Sequence, residues 1–173
     1  MNADDDRVQT STSVQDAERV LRELLEGTFI SALQYAAGFR IEFARQGKPP
    51  APLIPMVVWL TFRSDWRVGS PSEWSDLVSR PPWPPPKGEE HDPMRAYALA
   101  WLGGAEVRGV RVSQDGGHHI ATSCGKDIVL EGTDDIFEES WIIDVPRDVP
   151  NGEYWSVSCD NRGSLYARFP RPE

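Results

Sequence analysis

The chain has 173 residues and a formal net charge of −9, with 39% hydrophobic and 26% charged side chains. This composition is typical of one globular domain and excludes both a membrane-embedded protein and a wholly disordered chain. The negative charge disfavours nucleic acid and anionic membranes as partners and favours a basic protein. No apolar run is long enough to span a bilayer, and the acidic N-terminus lacks the pattern of a secretory signal, so we expect a cytoplasmic protein.

The N-terminal region predicts a short tail followed by a helix. Residues 1–12 are polar and acidic, and we expect them to be flexible. Residues 13–26 place apolar side chains at helical spacing on one face. Ser13 is a favourable residue for the start of this helix, and Gly27 is a favourable residue for its end.

Alternating apolar and polar residues after this helix predict strands. The pattern covers 28–35 and 39–43, which we interpret as a hairpin, and residues 56–68 predict one or two more strands. Residues 69–76 have the composition of a loop or a short helical turn. The proline-rich segment 79–91 excludes a helix or a central strand and is typical of an extended linker.

The second half of the chain begins with another predicted helix. Asp92 and Pro93 are favourable residues for a helix start, and the glycine pair 103–104 can end a helix that runs to Leu102. The same alternation as in the first half then predicts six strands, at 105–112, 118–123, 126–131, 140–145, 153–159 and 164–169.

The two halves share a pattern, which predicts an internal repeat. A shift of 77 positions places Gly27 on Gly104, each between a helix and an alternating strand. Two similar but unrelated α+β units would give the same pattern, so both interpretations stay open. We therefore predict an α+β fold with mostly antiparallel sheet and two principal helices. It forms a single domain over 13–173, made of half-units 13–78 and 92–173 that share one core.

A histidine pair is the group in the sequence that most suggests catalysis or metal binding. His118 and His119 follow a glycine-rich turn and lie close in sequence to Cys124. Adjacent side chains on a strand point to opposite faces, so the two imidazoles cannot easily bind one metal. Two polar residues at the start of a strand would look the same. Because no known catalytic motif is present, we predict no catalytic residue, no metal and no cofactor.

The two cysteines, Cys124 and Cys159, lie far apart in the sequence and form no C-x-x-C motif. In a cytoplasmic protein, cysteines of this kind are usually reduced. We therefore predict two free, buried thiols, with a disulfide between them as the alternative.

An acidic segment is the strongest candidate for a binding surface. From Asp127 to Asp144 the chain carries seven acidic residues and no lysine or arginine. Charge can attract a basic protein, and the apolar residues among the acids can anchor it. The predicted contact residues of this segment are Glu131, Asp134, Asp135, Phe137, Glu138 and Glu139. A solvated loop that maintains solubility is an equal alternative, and a cation site is a third, although the order of acids in a calcium loop is missing.

The chain contains seven tryptophans. Four of them lie in apolar patterns and are predicted to be core residues: Trp59, Trp101, Trp141 and Trp155. Trp74 and Trp83 lie among proline, serine and acidic residues. We predict them to be exposed anchors for a partner, with loop packing as the alternative.

The helix, the L-x-G pattern after it and the recurring W-x-[IV] segments at 66–68 and 141–143 resemble small acidic α+β immunity proteins of bacterial toxin–immunity systems. The resemblance implies a non-enzymatic protein that binds a cognate toxin and blocks its active site. It also implies a basic partner, because many such toxins are nucleases or other basic enzymes. We therefore expect an immunity or inhibitor protein that neutralises a basic toxin or effector enzyme through an acidic surface.

Three other functions are compatible with the sequence. The first is an inhibitor encoded by a phage or mobile element and directed at a host defence enzyme. The second is an enzyme with a site near His118 and His119. The third is an adaptor whose proline-rich linker docks onto another domain.

Overall fold

The computed structural model of the protein describes residues 10–35, 38–49, 53–79, 93–145 and 155–169. Over these residues the chain forms an α+β fold with three helices and eleven strands in two antiparallel sheets. The helices are α1 (Val14–Leu25), α2 (Pro71–Val78) and α3 (Pro93–Trp101). The strands are β1 (Thr10–Ser11), β2 (Phe29–Tyr35), β3 (Phe39–Ala44), β4 (Val57–Phe62), β5 (Trp66–Val68), β6 (Val107–Val112), β7 (His118–Thr122), β8 (Ile128–Leu130), β9 (Glu139–Asp144), β10 (Ser156–Asp160) and β11 (Leu165–Arg168).

Helix α1 forms where capping and periodicity agree, and it confirms the helix predicted over 13–26. The Ser13 hydroxyl accepts a hydrogen bond from the Asp16 N–H at 3.1 Å. Asp16 also lies in the first turn, where the helix dipole favours a negative charge. The apolar residues of one face are fully buried: Ala17, Val20, Leu21, Leu24 and Leu25. They pack α1 against β6, β10 and β11.

The larger sheet has seven strands in the order β1-β11-β10-β9-β4-β3-β2. The predicted hairpin over 28–35 and 39–43 is confirmed as β2 and β3, with Leu33 opposite Ile41. Thr10–Ser11, at the end of the segment predicted to be a flexible tail, form β1 and pair with β11. The backbone groups of these two residues form hydrogen bonds with β11. The polar sequence of the segment gives no indication of this pairing.

The smaller sheet has four strands in the order β5-β8-β7-β6. It contains β5 from the first half of the chain, whereas β9 from the second half lies in the larger sheet. β5 follows β4 along the chain but pairs with β8, and β9 follows β8 but pairs with β4. The two W-x-[IV] segments occupy these exchanged positions. Trp66 lies opposite Leu130, and Trp141 lies opposite Phe62. Each sheet therefore contains strands from both halves of the chain.

Backbone hydrogen bonds also join the two sheets where β2 and β6 begin. The Gly27 N–H donates to the Val107 carbonyl at 3.0 Å, and the Gly104 N–H donates to the Ile30 carbonyl at 2.8 Å. Both glycines have a positive φ, which a glycine adopts without steric strain. A single cluster of buried apolar residues draws on α1, α3 and both sheets. The described parts of the chain therefore share one core.

Helix α2 is an addition to the two principal helices that the sequence predicts. It covers most of the segment interpreted as a loop or short helical turn. Ser70 and Glu73 form a capping box, and Pro71 occupies the first turn, so local chemistry specifies this helix. Ser79 is its C-cap residue, and the rest of the predicted linker 79–91 lies outside the described residues.

Candidate partner-binding site

The acidic segment 131–139, which we call the acidic loop, is fixed to the turn between β10 and β11. Thr133 forms an isolated β-bridge with Arg162. The Asp134 N–H donates to the Asn161 carbonyl at 3.2 Å, and the Asn161 N–H donates to the Glu138 carbonyl at 3.0 Å. These bonds hold both ends of the loop, so its shape does not depend on a partner.

One carboxylate of the acidic loop has a structural role. Asp134 Oδ1 accepts hydrogen bonds from the Ile136 N–H at 2.6 Å and the Phe137 N–H at 2.8 Å. This turn places the Ile136 and Phe137 side chains at the surface, 82% and 37% exposed. The Arg63 guanidinium lies 5.3 Å from the centre of the Phe137 ring and supports it from one side. Asp134 therefore holds the turn that presents these apolar residues.

Other acids of the loop are exposed around this apolar tip. Asp135 and Glu138 are exposed, and Glu131 is exposed with an Arg67 nitrogen 4.0 Å from its carboxylate. Glu139, the first residue of β9, is half-buried. Exposed apolar residues on an acidic loop are what the sequence predicts for contact with a basic protein.

A polar pocket of about 360 Å³ opens beside the acidic loop, and we call it the acidic pocket. Its lining residues are Arg63, Glu138, Glu139, Ser158, Asp160 and Tyr166. The sheet brings these residues together from three separate parts of the chain. Sequence analysis identified Glu138 and Glu139, but it missed the other four, because no local signal shows that their strands are neighbours.

The pKa values of two carboxylates in the acidic pocket, Glu139 and Asp160, are shifted in opposite directions. Burial raises the pKa of Glu139, and Asp144 adds to this rise while Arg63 opposes it. Burial also opposes ionisation of Asp160. The N–H groups of Ser164 and Arg162 nevertheless hold the pKa of Asp160 below its ordinary value by donating to the carboxylate. Asp160 is therefore a fixed negative charge in the pocket.

The two predicted tryptophan anchors are not part of this arrangement. Trp74 lies on α2, partly buried, with its ring 5.1 Å from that of Trp66 and with Arg95 above it. It therefore packs α2 onto the smaller sheet, which was the alternative considered for it. Trp83 lies outside the described residues.

An apolar groove lies between α2 and α3. It has a volume of about 230 Å³ and includes Val68, Leu77 and Ala98 in its walls. Tyr97 and Trp101 also line it, and they are 57% and 56% exposed. The prediction that Trp101 is a core residue is therefore wrong, because the face of α3 that carries it is only partly covered. Trp141 and Trp155, by contrast, are buried as predicted.

The histidine pair points in two directions, as strand alternation requires. His118 is buried with its ring 4.4 Å from that of Trp141, whereas His119 is partly exposed and lies 2.8 Å from the Asp127 carboxylate. Burial, together with the nearby His119, lowers the pKa of His118 to about 3. Among the described residues no group of three or more His, Cys, Asp or Glu side chains could hold a metal ion.

Both cysteines are free thiols. Cys159 is buried, and burial raises the pKa of its thiol to about 12, with further contributions from Asp160 and Asp115. Cys124 is exposed, so the prediction of a buried thiol is wrong there. It lies in the turn after β7, where its sulfur is 3.1 Å from the Thr122 hydroxyl.

Comparison with known proteins gives no relative: the chain matches no protein-family model, no curated protein and no solved structure. None of the described helices is long and apolar enough to cross a membrane.

Proposed function

We propose that the protein is a non-enzymatic binding protein, an immunity or inhibitor protein that neutralises a basic toxin or effector enzyme by occluding it. One observation carries the proposal: the acidic loop is held in place and presents Ile136, which is 82% exposed, among carboxylates. An isoleucine exposed to this degree gains apolar contact only when another molecule covers it.

The ordered conformation of the acidic loop favours tight binding to a protein surface. Its backbone bonds to Asn161 and its Asp134 turn order the loop in advance, so a partner need not provide the free energy for ordering it. The exposed Asp135 and Glu138 supply charge that accelerates the encounter with a basic surface and sets the salt dependence. The net charge of −9 acts in the same direction.

Charge reversal at the loop tests this function. The protein is used as bait at low and high salt, and the affinity of the captured basic partner is then measured for the double variant Asp135→Lys, Glu138→Lys. Both side chains are exposed, so the fold should be retained. We expect at least a tenfold loss of affinity and a smaller salt dependence. Asp134 is left unchanged because its carboxylate holds the turn.

The matched control reverses two exposed acids elsewhere, Glu23→Lys on α1 and Asp76→Lys on α2. It changes the net charge equally and should retain most of the affinity. An equal loss in the two double variants would mean that only net charge matters and would remove the loop as the site. Absence of any basic partner at either salt concentration would contradict the proposed function itself.

We also propose that the two parts of the chain are an internal repeat with exchanged strands. In support, the two backbone bonds that join the sheets are equivalent under the 77-residue shift. The donor Gly27 corresponds to the donor Gly104, and the acceptor Ile30 corresponds to the acceptor Val107. β-bulges recur at the same spacing, between Ile30 and Ala32 and between Val107 and Gly109. Unrelated α+β units have no reason to share the position of a bulge.

Side-chain packing supports the same proposal. Phe39 meets Trp66 edge-on with ring centres 4.8 Å apart, and His118 meets Trp141 edge-on at 4.4 Å. Phe39 and His118 occupy the same register in their hairpins, opposite the last residue of β2 and of β6. If the two sites are equivalent, alanine at Gly27 and at Gly104 should destabilise the protein by similar amounts, about 1 kcal/mol each. Urea unfolding of the two variants checks this.

A further inference from the structure

We propose that the acidic pocket receives an arginine side chain of the basic partner. This inference rests on the proposed function and assigns the chemistry of its central contact. The pocket opens directly beside the acidic loop, since Glu138 belongs to both. A partner that covers Ile136 could therefore place a basic side chain in the pocket.

The charges of the pocket are unbalanced. Glu138, Glu139 and Asp160 supply three carboxylates, against the single guanidinium of Arg63. Arg63 forms no ion pair with a carboxylate of the described residues, and its contact is with the ring of Phe137. Arg63 lowers the pKa of Glu139 through its charge, but three carboxylates against one guanidinium leave the pocket with excess negative charge that can attract a second cation.

The Ser158 side chain offers a further hydrogen-bonding group to a ligand in the pocket. Ser158 is only 2% exposed and lines the acidic pocket. No described residue is a hydrogen-bond partner of its side chain. Its neighbours Val157 and Cys159 belong to the core cluster, so alternation directs Ser158 to the opposite face of the sheet, where the pocket lies. The Ser158 hydroxyl oxygen is not among the fully buried unpaired atoms of the described residues, so it reaches the pocket, where it can accept a hydrogen bond from a ligand N–H.

The two oxygens of the Asp160 carboxylate have different roles. One is bonded to backbone N–H groups of the turn between β10 and β11, and the other can accept a bond from a ligand in the pocket. Asp160 Oδ1 accepts the N–H groups of Arg162 and Ser164 at 2.9 and 2.8 Å. Asp160 Oδ2 accepts only the Tyr166 hydroxyl, at 3.3 Å, among the described residues. A carboxylate oxygen can accept further bonds, so Oδ2 remains available.

The set of acceptors fits a guanidinium group better than an ammonium group. Oxygen acceptors of three residues, Glu139, Ser158 and Asp160, line the same pocket. A guanidinium offers five N–H donors in a plane, whereas an ammonium offers three from one point. Charge-assisted bonds of this kind are about twice as strong as neutral ones.

The test uses a probe that needs no natural partner. N-acetyl-arginine amide is titrated into the full-length protein, and binding is followed by NMR shifts of Ser158 and Tyr166. N-acetyl-citrulline amide, which has the same shape without the charge, is the control ligand. We expect weak but saturable binding of the arginine probe, and at least tenfold weaker binding of the citrulline probe.

Two variants assign the site. Ser158→Ala removes the unpaired hydroxyl, and Glu139→Gln removes one half-buried charge; each should weaken binding of the arginine probe about fivefold or more. Glu23→Gln, an exposed acid on α1, is the matched control and should have no effect. Thermal unfolding of each variant shows that the fold is retained.

The outcomes separate this inference from the proposed function. Equal binding of both probes, shifts confined to residues outside the pocket, or no shift at all would overturn the inference. Binding of inorganic phosphate at Arg63 in place of the arginine probe would overturn it as well. If the probe binds the pocket but no basic protein is captured at any salt concentration, the preference of the pocket for a guanidinium group stands and the proposed function fails.

Discussion

Replacement of His118 by phenylalanine is expected to stabilise the protein. His118 is 2% exposed, and neither of its ring nitrogens has a hydrogen-bond partner among the described residues. An unpaired buried polar group costs about 1–3 kcal/mol. Phe39, in the same register of the other hairpin, shows that a phenyl ring can pack edge-on against a tryptophan there.

The size of the effect at neutral pH is the difference of two contributions. Removal of the unpaired nitrogens contributes about 2 kcal/mol. The larger ring must fit into a site where the two ring centres are only 4.4 Å apart, and such overpacking costs about 1 kcal/mol. We therefore expect His118→Phe to raise the free energy of unfolding by about 1 kcal/mol.

The effect should grow as the pH falls. The folded protein keeps His118 neutral, because its pKa is lowered to about 3, whereas the unfolded chain takes up a proton near the ordinary value of 6.5. Acid therefore favours the unfolded state, by about 1.4 kcal/mol for each pH unit below 6.5. Between pH 6.5 and about pH 5 this amounts to about 2 kcal/mol, which the phenylalanine variant does not lose.

Urea unfolding followed by tryptophan fluorescence, at about pH 7.5 and about pH 5, measures both contributions. His119→Gln is the matched control, because it changes a partly exposed imidazole and leaves the buried one in place. The reasoning would be refuted if His118→Phe were less stable than the wild type at both pH values and lost stability with acid in parallel with it.

Three further predictions concern single sites. Arg45 donates hydrogen bonds to the Leu24 and Glu26 carbonyls at the end of α1, so Arg45→Met should cost about 1–2 kcal/mol in thermal unfolding, with Arg45→Lys in between. Gly132→Ala should cost more than about 3 kcal/mol, because a Cβ atom there would overlap the carbonyl of the neighbouring turn. Gly47→Ala is the control: its Cβ has open space, so it should cost only the ~1 kcal/mol that its positive φ imposes. A thiol reagent should modify Cys124 in the native protein and reach Cys159 only after denaturation, and rapid reaction of both thiols would contradict the burial of Cys159.

Sequence patterns within short segments predicted the elements whose formation depends on nearby residues. The helix over 13–26 and the first hairpin follow from capping and alternation within short segments, and both are confirmed. Helix α2 could have been predicted in the same way. The serine at position 70 and the glutamate at 73 form a capping box that is visible in the sequence, with Pro71 between them, but the segment was interpreted as a loop or a short helical turn.

The sequence could not predict which strands pair. The pairing of β5 with β8 and of β4 with β9 depends on contacts between distant segments, and periodicity carries no information on them. The candidate site shows the same limit. The acidic loop was predicted from its composition, whereas Ser158, Asp160 and Tyr166 come to it from the last hairpin, because β10 happens to pair with β9.

The exchanged strands have a consequence for synthesis of the chain on the ribosome. β4 is made early, but its neighbour β9 is complete only when residue 144 has been added, and β5 must wait for β8 in the same way. An emerging first half therefore carries two strands with unpaired edges, and the apolar side chains of Leu60 and Phe62 lack their partners from β9. Folding of this protein is expected to be largely post-translational, and truncated chains that end before β9 should aggregate or recruit chaperones instead of forming a stable half.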